Sequence, residues 1–249
     1  PPASITKMMT AYLAFTEINE NNISLGEDVL VSKKAWKTGG SKMFIEVGKK
    51  IKFKDILQGV ITVSGNDASV ALAEHISGDE NTFAIYMNQM AKNIGLVNTN
   101  YTNATGLPND SLYTTAEDIA LLSRSLISNF PDLYKLYSTK SFKFNDIKQY
   151  SRNKLLFIDD NVDGIKTGFT SAAGYCLASS AKRGNRRLIA VVMGAPTPDI
   201  RIQSSRTLLE YGFRFFETHE LFKKDREISK ARVYGGEKSE VKFGVNQDS

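Results

Sequence analysis

The sequence predicts an α+β protein, an antiparallel sheet covered by helices beside a helical lobe, followed by the start of a small β-rich C-terminal domain. Three observations carry that expectation. Closely spaced stretches with apolar residues at helical spacing fill residues 53–94, and three strand-like runs joined by turns rich in Gly, Ser and Asn begin at Asn161. A long amphipathic stretch, Asp199 to Phe216, follows them directly. The length of 249 residues and a hydrophobic content of 41% suit one full domain plus a small appendage. We place the main domain at 1–220 and a connector with the start of an incomplete β-rich domain at 221–249.

In chain order, a first helix begins behind Pro1 and Pro2, with Ile5, Met8, Met9, Tyr12, Leu13 and Thr16 on one buried face. Asn19 to Asn22 and Gly26 end it. Asp28 to Lys33 alternates around Val29 and Val31 as a short strand, and Ala35 to Ser41, with its paired glycines, reads as a loop. Phe53 to Val63, Asp67 to Ile76 and Asn81 to Ile94 are helices, the first two separated by Ser64-Gly65-Asn66. Leu96 to Pro108, polar and rich in Thr and Asn, is an ordered loop. Thr115-Ala116-Glu117-Asp118 opens another helix as a capping box, ending near Ser128. Pro131 begins a helical piece toward Tyr137, and Phe142 and Phe144 mark a hairpin over Ser141 to Tyr150.

Val162 to Thr167, Gly174 to Lys182 and Arg186 to Gly194 then form an antiparallel meander. The third strand, apolar from Leu188 to Met193, is expected to be central or covered on both faces. Ile202, Leu208, Leu209, Phe213 and Phe216 equip the following helix to cover the sheet. Beyond Glu217 the charged segment Lys223 to Glu227 leads into alternating runs at Ala231 to Tyr234 and Val241 to Val245, the first hairpin of the appendage.

A net charge of +5 is spread among almost as many acids as bases, and no arginine-rich segment occurs, so no nucleic-acid partner is expected. The mild basic balance suits work near anionic lipid or cell-wall polymer. The single Cys176 forms no internal disulfide; it reads as a core strand residue. With only His75 and His219 beside it, no Cys/His metal site is expected, and no metal or cofactor is required. No run is long enough to span a membrane. No signal-peptide pattern precedes Pro1, and the abrupt start suggests a processed or truncated product.

The opening stretch carries the chemistry. On a helix, Ser4 and Lys7 lie one turn apart on the same side, where hydroxyl and amine can touch. Serine becomes a nucleophile when a base takes its proton, and lysine is such a base only if burial or a second cation keeps it neutral. The spacing S-x-x-K alone is weak, since chance supplies it about twice in a chain of this length. Ser179/Lys182 share it on a strand, where residues three apart face opposite sides, and Ser151/Lys154 share it between elements. Ser64-Gly65-Asn66, at a break between helices, offers a hydroxyl and an amide; Lys166-Thr167-Gly168, ending a strand, offers an ammonium, a hydroxyl and an approachable backbone. Ser151-Arg152-Asn153 and Lys37-Thr38-Gly39 have the same wording, and for each motif alone a plain turn or a solvated lysine is the better account.

Together, S-x-x-K, S-x-N and K-T-G in that order resemble the signature of serine β-lactamases and penicillin-binding proteins. The wider wording, Pro2 to Thr10, Gly39-Gly40-Ser41, Asn103-Ala104-Thr105-Gly106-Leu107, Val162 to Gly168 and Tyr211 to Phe216, resembles the low-molecular-mass penicillin-binding proteins that are D-alanyl-D-alanine carboxypeptidases. That resemblance covers nearly the whole chain and implies a β-lactamase/transpeptidase-like fold. It implies Ser4 as acylated nucleophile, Lys7 as its base and Ser64 as proton relay to the departing D-alanine, with Lys166 helping to keep Lys7 neutral. It gives Asn66 the substrate's amide and Lys166, Thr167 and Gly168 the terminal carboxylate and strand edge, with Arg152 a further carboxylate candidate. The oxyanion hole is implied to be the backbone N–H groups of Ser4 and Phe169.

The implied partners are the peptidoglycan stem pentapeptide and, as covalent inhibitors, β-lactam antibiotics, outside the cytoplasmic membrane. Relatives carry strands and a helix before the serine helix, and a complete β-domain with a membrane-binding tail after it. Both are expected to be missing here, with membrane association left to the missing C-terminal segment. Gly65, where many of the superfamily have aspartate, favours the carboxypeptidase branch. A serine β-lactamase, a DD-endopeptidase and a non-catalytic wall-binding relative are the alternatives.

Overall fold

The computed structural model describes residues 1–217, 219 and 221–246. They fall into two compact units, Pro1–Gly212 and Phe213–Ser249.

The first unit begins with a 3-10 turn, Ala3–Thr6, running into α1 (Lys7–Asn19). Instead of burying one face, α1 is buried at every position from Lys7 to Phe15. The small residues Ala11 and Ala14 let neighbours close on the side away from the apolar stripe, and Thr10 Oγ1 is satisfied by the Ala104 carbonyl at 2.7 Å. A helix so enclosed must satisfy each polar atom internally.

β1 (Asp28–Leu30) pairs antiparallel with β2 (Lys50–Lys52). Between them the expected loop from Ala35 starts instead as a short helix, α2 (Lys33–Lys37), because Ser32 Oγ accepts the Ala35 N–H at 3.0 Å and caps it. The chain turns only at Gly39 and Gly40. Helices α3 (Phe53–Thr62), α4 (Asn66–Ser77) and α5 (Glu80–Asn93) follow as expected and pack around α1. Helix α6 (Ala116–Asn129) is capped by Thr115, whose Oγ1 accepts the Asp118 N–H at 3.1 Å. The Asp118 carboxylate does not close the box on Thr115 but accepts Asn98 N–H at 2.9 Å and Thr99 Oγ1–H at 2.5 Å. That ties the 96–108 loop to the helix.

After α7 (Pro131–Tyr134) and a 3-10 turn come the hairpin β3 (Ser141–Phe144) and β4 (Ile147–Tyr150), then α8 (Leu155–Ile158), four residues too few to show a period in sequence. β5 (Val162–Thr170), β6 (Gly174–Arg183) and β7 (Arg186–Ala195) form an antiparallel sheet in chain order. The central strand is therefore β6, and the apolar β7 lies at one end of the described sheet, half buried. Its unbroken apolar run reflects cover from both sides. Val191 and Met193 pack on the main core with Ile165, Cys176 and Ala178, while Leu188 meets Gly212 of α9 (Pro198–Phe215). In α9, Ile202 and Leu209 are buried as expected, but Leu208 is exposed and Phe216 lies past the helix end, also exposed.

In the second unit, β8 (Ser229–Arg232) and β9 (Glu240–Phe243) pair as an antiparallel hairpin with Ala231 opposite Val241, β8 starting two residues before the expected run. Among the described residues no helix is long and apolar enough to cross a membrane.

Candidate active site

The serine turn is held by close backbone packing. Gly168, at the end of β5, leaves so little room that a Cβ there would lie 2.9 Å from the Pro2 carbonyl oxygen. The K-T-G strand end therefore rests directly on the turn carrying Ser4. Ala3 has φ +48° and Ser64 has φ +62°, left-handed conformations that non-glycine residues seldom adopt, and both flank the pocket.

Lys7 is 1% exposed. Its Nζ lies 3.1 Å from Ser4 Oγ, 2.7 Å from Asn66 Oδ1 and 2.6 Å from the Thr105 carbonyl oxygen. Asn66 Oδ1 and Thr105 O carry no hydrogen, so each must accept one from Lys7. A neutral amine has two N–H groups and one lone pair; once both are donated, the lone pair is left for Ser4. The electrostatics agree. Burial first, then the like charge of Lys166, hold Lys7 well below its ordinary value, with the Asp67 carboxylate opposing.

Lys166 is also buried. Its Nζ donates to Ser64 Oγ at 2.9 Å and to the Thr167 carbonyl at 3.0 Å. Burial, followed by the charges of Arg152 and Arg201, brings it down to about 7. Lys166 and Ser64 thus form a second amine–hydroxyl pair, within electrostatic reach of the first.

The structure brings Ser4, Lys7, Ser64, Asn66 and Lys166 into one connected group. Asn66 is more committed than expected for a residue holding substrate. While Oδ1 accepts from Lys7, Nδ2 donates to the Gly39 carbonyl at 2.7 Å and its backbone N–H donates to Ser41 at 2.7 Å. Thr167 is buried, and Phe169 is half exposed with its ring stacked 4.2 Å from Tyr175. Arg152 is exposed, yet its charge reaches Lys166.

The competing motifs lie elsewhere. Ser179 Oγ donates to the Ala190 carbonyl inside the sheet, and Lys154 is exposed at the start of α8. Asn153 is spent on the Gly164 carbonyl and Leu155 N–H. Lys37 is exposed, but the Gly39 carbonyl of the same motif orients Asn66. Ser239/Lys242 also has S-x-x-K spacing, on the exposed β9.

Sequence reasoning missed several contributors. Thr105 and Gly39 act through carbonyl oxygens that carry no residue identity. Asp67 is buried and accepts Met43, Phe44 and Ile45 N–H at 2.8, 2.9 and 3.3 Å, shaping the loop that faces Asn66. The S-x-N-D wording was its only signal. Arg201 is buried beneath the Tyr175 ring, 5.6 Å from its centroid, although its position on an amphipathic helix reads as surface. Among the described residues, no group of three His, Cys, Asp or Glu side chains could hold a metal ion.

A serine–lysine pair on the opening helical turn, a serine at a helix break and a lysine on the sheet edge, within hydrogen-bond and electrostatic reach of one another, define the class of penicillin-binding proteins and serine β-lactamases. Comparison with known proteins resolves the class. Residues 1–197 match the family model described as D-alanyl-D-alanine carboxypeptidase, and residues 216–249 match that of the penicillin-binding protein 5 C-terminal domain. The D-alanyl-D-alanine carboxypeptidase DacA of Haemophilus influenzae is 45% identical over 99% of this chain. The chain spans 64% of that relative's length.

A solved structure of penicillin-binding protein 5 from Haemophilus influenzae superposes with a TM-score of 0.95 at 45% identity, covering 99% of this chain and 73% of its own. Penicillin-binding protein D2 of Listeria monocytogenes in its ampicillin-bound form superposes at 0.78 with 32% identity, covering 86% of this chain and 87% of its own. The chain belongs to the D-alanyl-D-alanine carboxypeptidase family.

Proposed function

We propose that this protein is a serine-type D-Ala-D-Ala carboxypeptidase that removes the terminal D-alanine from peptidoglycan stem pentapeptides outside the cytoplasmic membrane. The observation that carries the reading is the setting of Lys7. It is buried, both its N–H groups are directed at acceptors, and Ser4 Oγ lies 3.1 Å away.

Ser4 Oγ attacks the carbonyl carbon of the penultimate D-alanine while its proton passes to Lys7. The oxyanion is received by the backbone N–H groups of Ser4 and Phe169. As the C–N bond breaks, the proton taken by Lys7 passes to the leaving amine through the Ser64 hydroxyl, which Lys166 holds at 2.9 Å, and Lys7 is neutral again. Lys166 and Thr167 grip the terminal carboxylate along the Gly168 edge, with Arg152 and the buried Arg201 adding positive potential. Asn66 serves chiefly to fix Lys7, and its amide faces substrate only where the Gly39 contact yields. Water, deprotonated by Lys7, then hydrolyses the Ser4 ester and restores the hydroxyl.

A β-lactam follows the first half of this path and stays on Ser4, consistent with the ampicillin-bound state of the Listeria relative. Intact-mass analysis after penicillin exposure tests the proposal. One adduct on Ser4, absent in Ser4→Ala, is expected; an unmodified, folded wild type would replace the enzyme with a wall-binding relative. Release of D-alanine from a pentapeptide, without cleavage of crosslinked dimers, separates carboxypeptidase from endopeptidase. Slow loss of the adduct separates it from β-lactamase.

A further inference from the structure

We infer that Asn103 is a positioning residue for the serine–lysine pair, folding the 103–107 loop so that the Thr105 carbonyl oxygen is presented to Lys7. The inference rests on Lys7 being the base, and it gives a role to Asn103-Ala104-Thr105-Gly106-Leu107, of which the proposed reaction uses only the Thr105 carbonyl.

One oxygen of Asn103, Oδ1, accepts three hydrogen bonds: from Thr105 N–H at 3.1 Å, Thr105 Oγ1 at 2.9 Å and Gly106 N–H at 2.7 Å. Its amide nitrogen donates to the Leu107 carbonyl at 3.1 Å, and Leu107 N–H returns to Thr105 Oγ1 at 3.1 Å. A single side chain thus replaces the regular structure this loop lacks. The peptide before Thr105 is pinned from both ends. Ala104 N–H donates to Glu80 Oε1 at 3.2 Å, and the Ala104 carbonyl accepts Thr10 Oγ1–H at 2.7 Å. Glu80 is in turn held by Lys34 at 2.8 Å.

With the loop so fixed, the Thr105 carbonyl reaches Lys7 Nζ at 2.6 Å and Gly106 packs against the Ala3 carbonyl, next to Ser4. Of the three groups around the Lys7 amine, Asn66 is anchored on α4 and Ser4 on the opening turn. Only Thr105 comes from irregular backbone, so its place depends on whatever orders that backbone. An amine lacking that acceptor can swing its lone pair off the Ser4 hydroxyl, and small misalignments of reacting groups are costly.

The test is the second-order rate of Ser4 acylation by a fluorescent penicillin in the intact protein at neutral pH, alongside the thermal midpoint. Asn103→Ala is expected to slow acylation by about 10- to 100-fold. Asn103→Asp keeps the acceptor oxygen but loses the donor to the Leu107 carbonyl, and is expected to acylate faster than N103A though slower than wild type, a rescue that loss of stability alone does not produce. Folded N103A with wild-type acylation, or N103D as slow as N103A, overturns the inference. If N103A does not fold, Asn103→Ser carries the test with its one remaining acceptor: an intermediate rate supports the inference, and a wild-type rate overturns it. Wild type that is not acylated at Ser4 sinks the catalytic reading instead, which keeps the two failures apart.

Discussion

Of the four places where this chain puts a serine three residues before a lysine, Ser4/Lys7 in the first unit and Ser239/Lys242 in the second have opposite surroundings. Lys242 sits on a strand with its side chain 68% exposed and its Nζ 2.7 Å from a Glu227 carboxylate oxygen, which raises its affinity for a proton. Lys7 is buried among neutral acceptors with another cation nearby, and its affinity falls. The same two residue types are ordinary surface in one place and a candidate nucleophile with its base in the other. Spacing brings the groups together only on a helical turn, and burial removes the proton.

The largest expected effect follows from that contrast. Ser4→Ala abolishes penicillin labelling, and Lys7→Ala slows it by about 10²–10⁴-fold, the usual worth of a positioned base. Lys242→Ala leaves the rate unchanged. Stopped-flow acylation measures all three, and a slow Lys242→Ala would break the comparison.

After burial, the like charge of Lys166 is the next cause that depresses Lys7. With Lys7 depressed, acylation persists at pH values well below those where a solvated lysine loses its proton, and falls as acid protonates it. Lys166→Ala removes a like charge, so Lys7 binds its proton more tightly and the acid limb moves to higher pH.

Stability carries the same signature. An unfolded lysine stays protonated to about 10.4, whereas folded Lys166 releases its proton above about 7. Between those values the unfolded chain binds more protons, so stability rises with pH, by at most about 1.4 kcal/mol per pH unit from this group. Below that window the contribution is flat. Urea unfolding across the window should show a shallower rise in Lys166→Met; an unchanged slope would mean that Lys166 is hydrated and charged.

How far the pocket was legible follows from what kind of atom does each task. The helices from Phe53 to Asn93 and the three-strand meander declare themselves through period and turn residues, and the S-x-x-K, S-x-N and K-T-G side chains are distinctive as a set. Of the two placements open to β7, the covered one holds and the central one does not, because an apolar run records covered faces, not the number of paired edges. Thr105 and Gly39 could not be read, since their contribution is a carbonyl every residue has.

Gly40 sharpens that point. At φ +83°, a Cβ on it would lie 2.5 Å from Asn66 Nδ2. Gly40→Ala is expected to cost about 1–3 kcal/mol in backbone strain, and to slow acylation about tenfold by shifting Asn66 and so Lys7. A calorimetric midpoint and acylation rate both equal to wild type would show that the loop absorbs the methyl without moving Asn66.

The smallest effect is expected at the other K-T-G. Lys37 ends α2 with its ammonium in solvent, and the Gly39 carbonyl that holds Asn66 belongs to the backbone whatever side chain stands two residues earlier. Lys37→Ala should therefore change acylation less than about twofold and stability by less than about 0.5 kcal/mol, as for other surface substitutions. Lys166→Ala, at the buried copy, strips Ser64 of its partner and the proposed carboxylate site of its cation together. Measured side by side, the two variants ask whether the chemistry follows the motif or its surroundings. Substantial loss at Lys37 with little at Lys166 would put the carboxylate grip on the α2 side of the cleft and reverse the assignment of the two triplets.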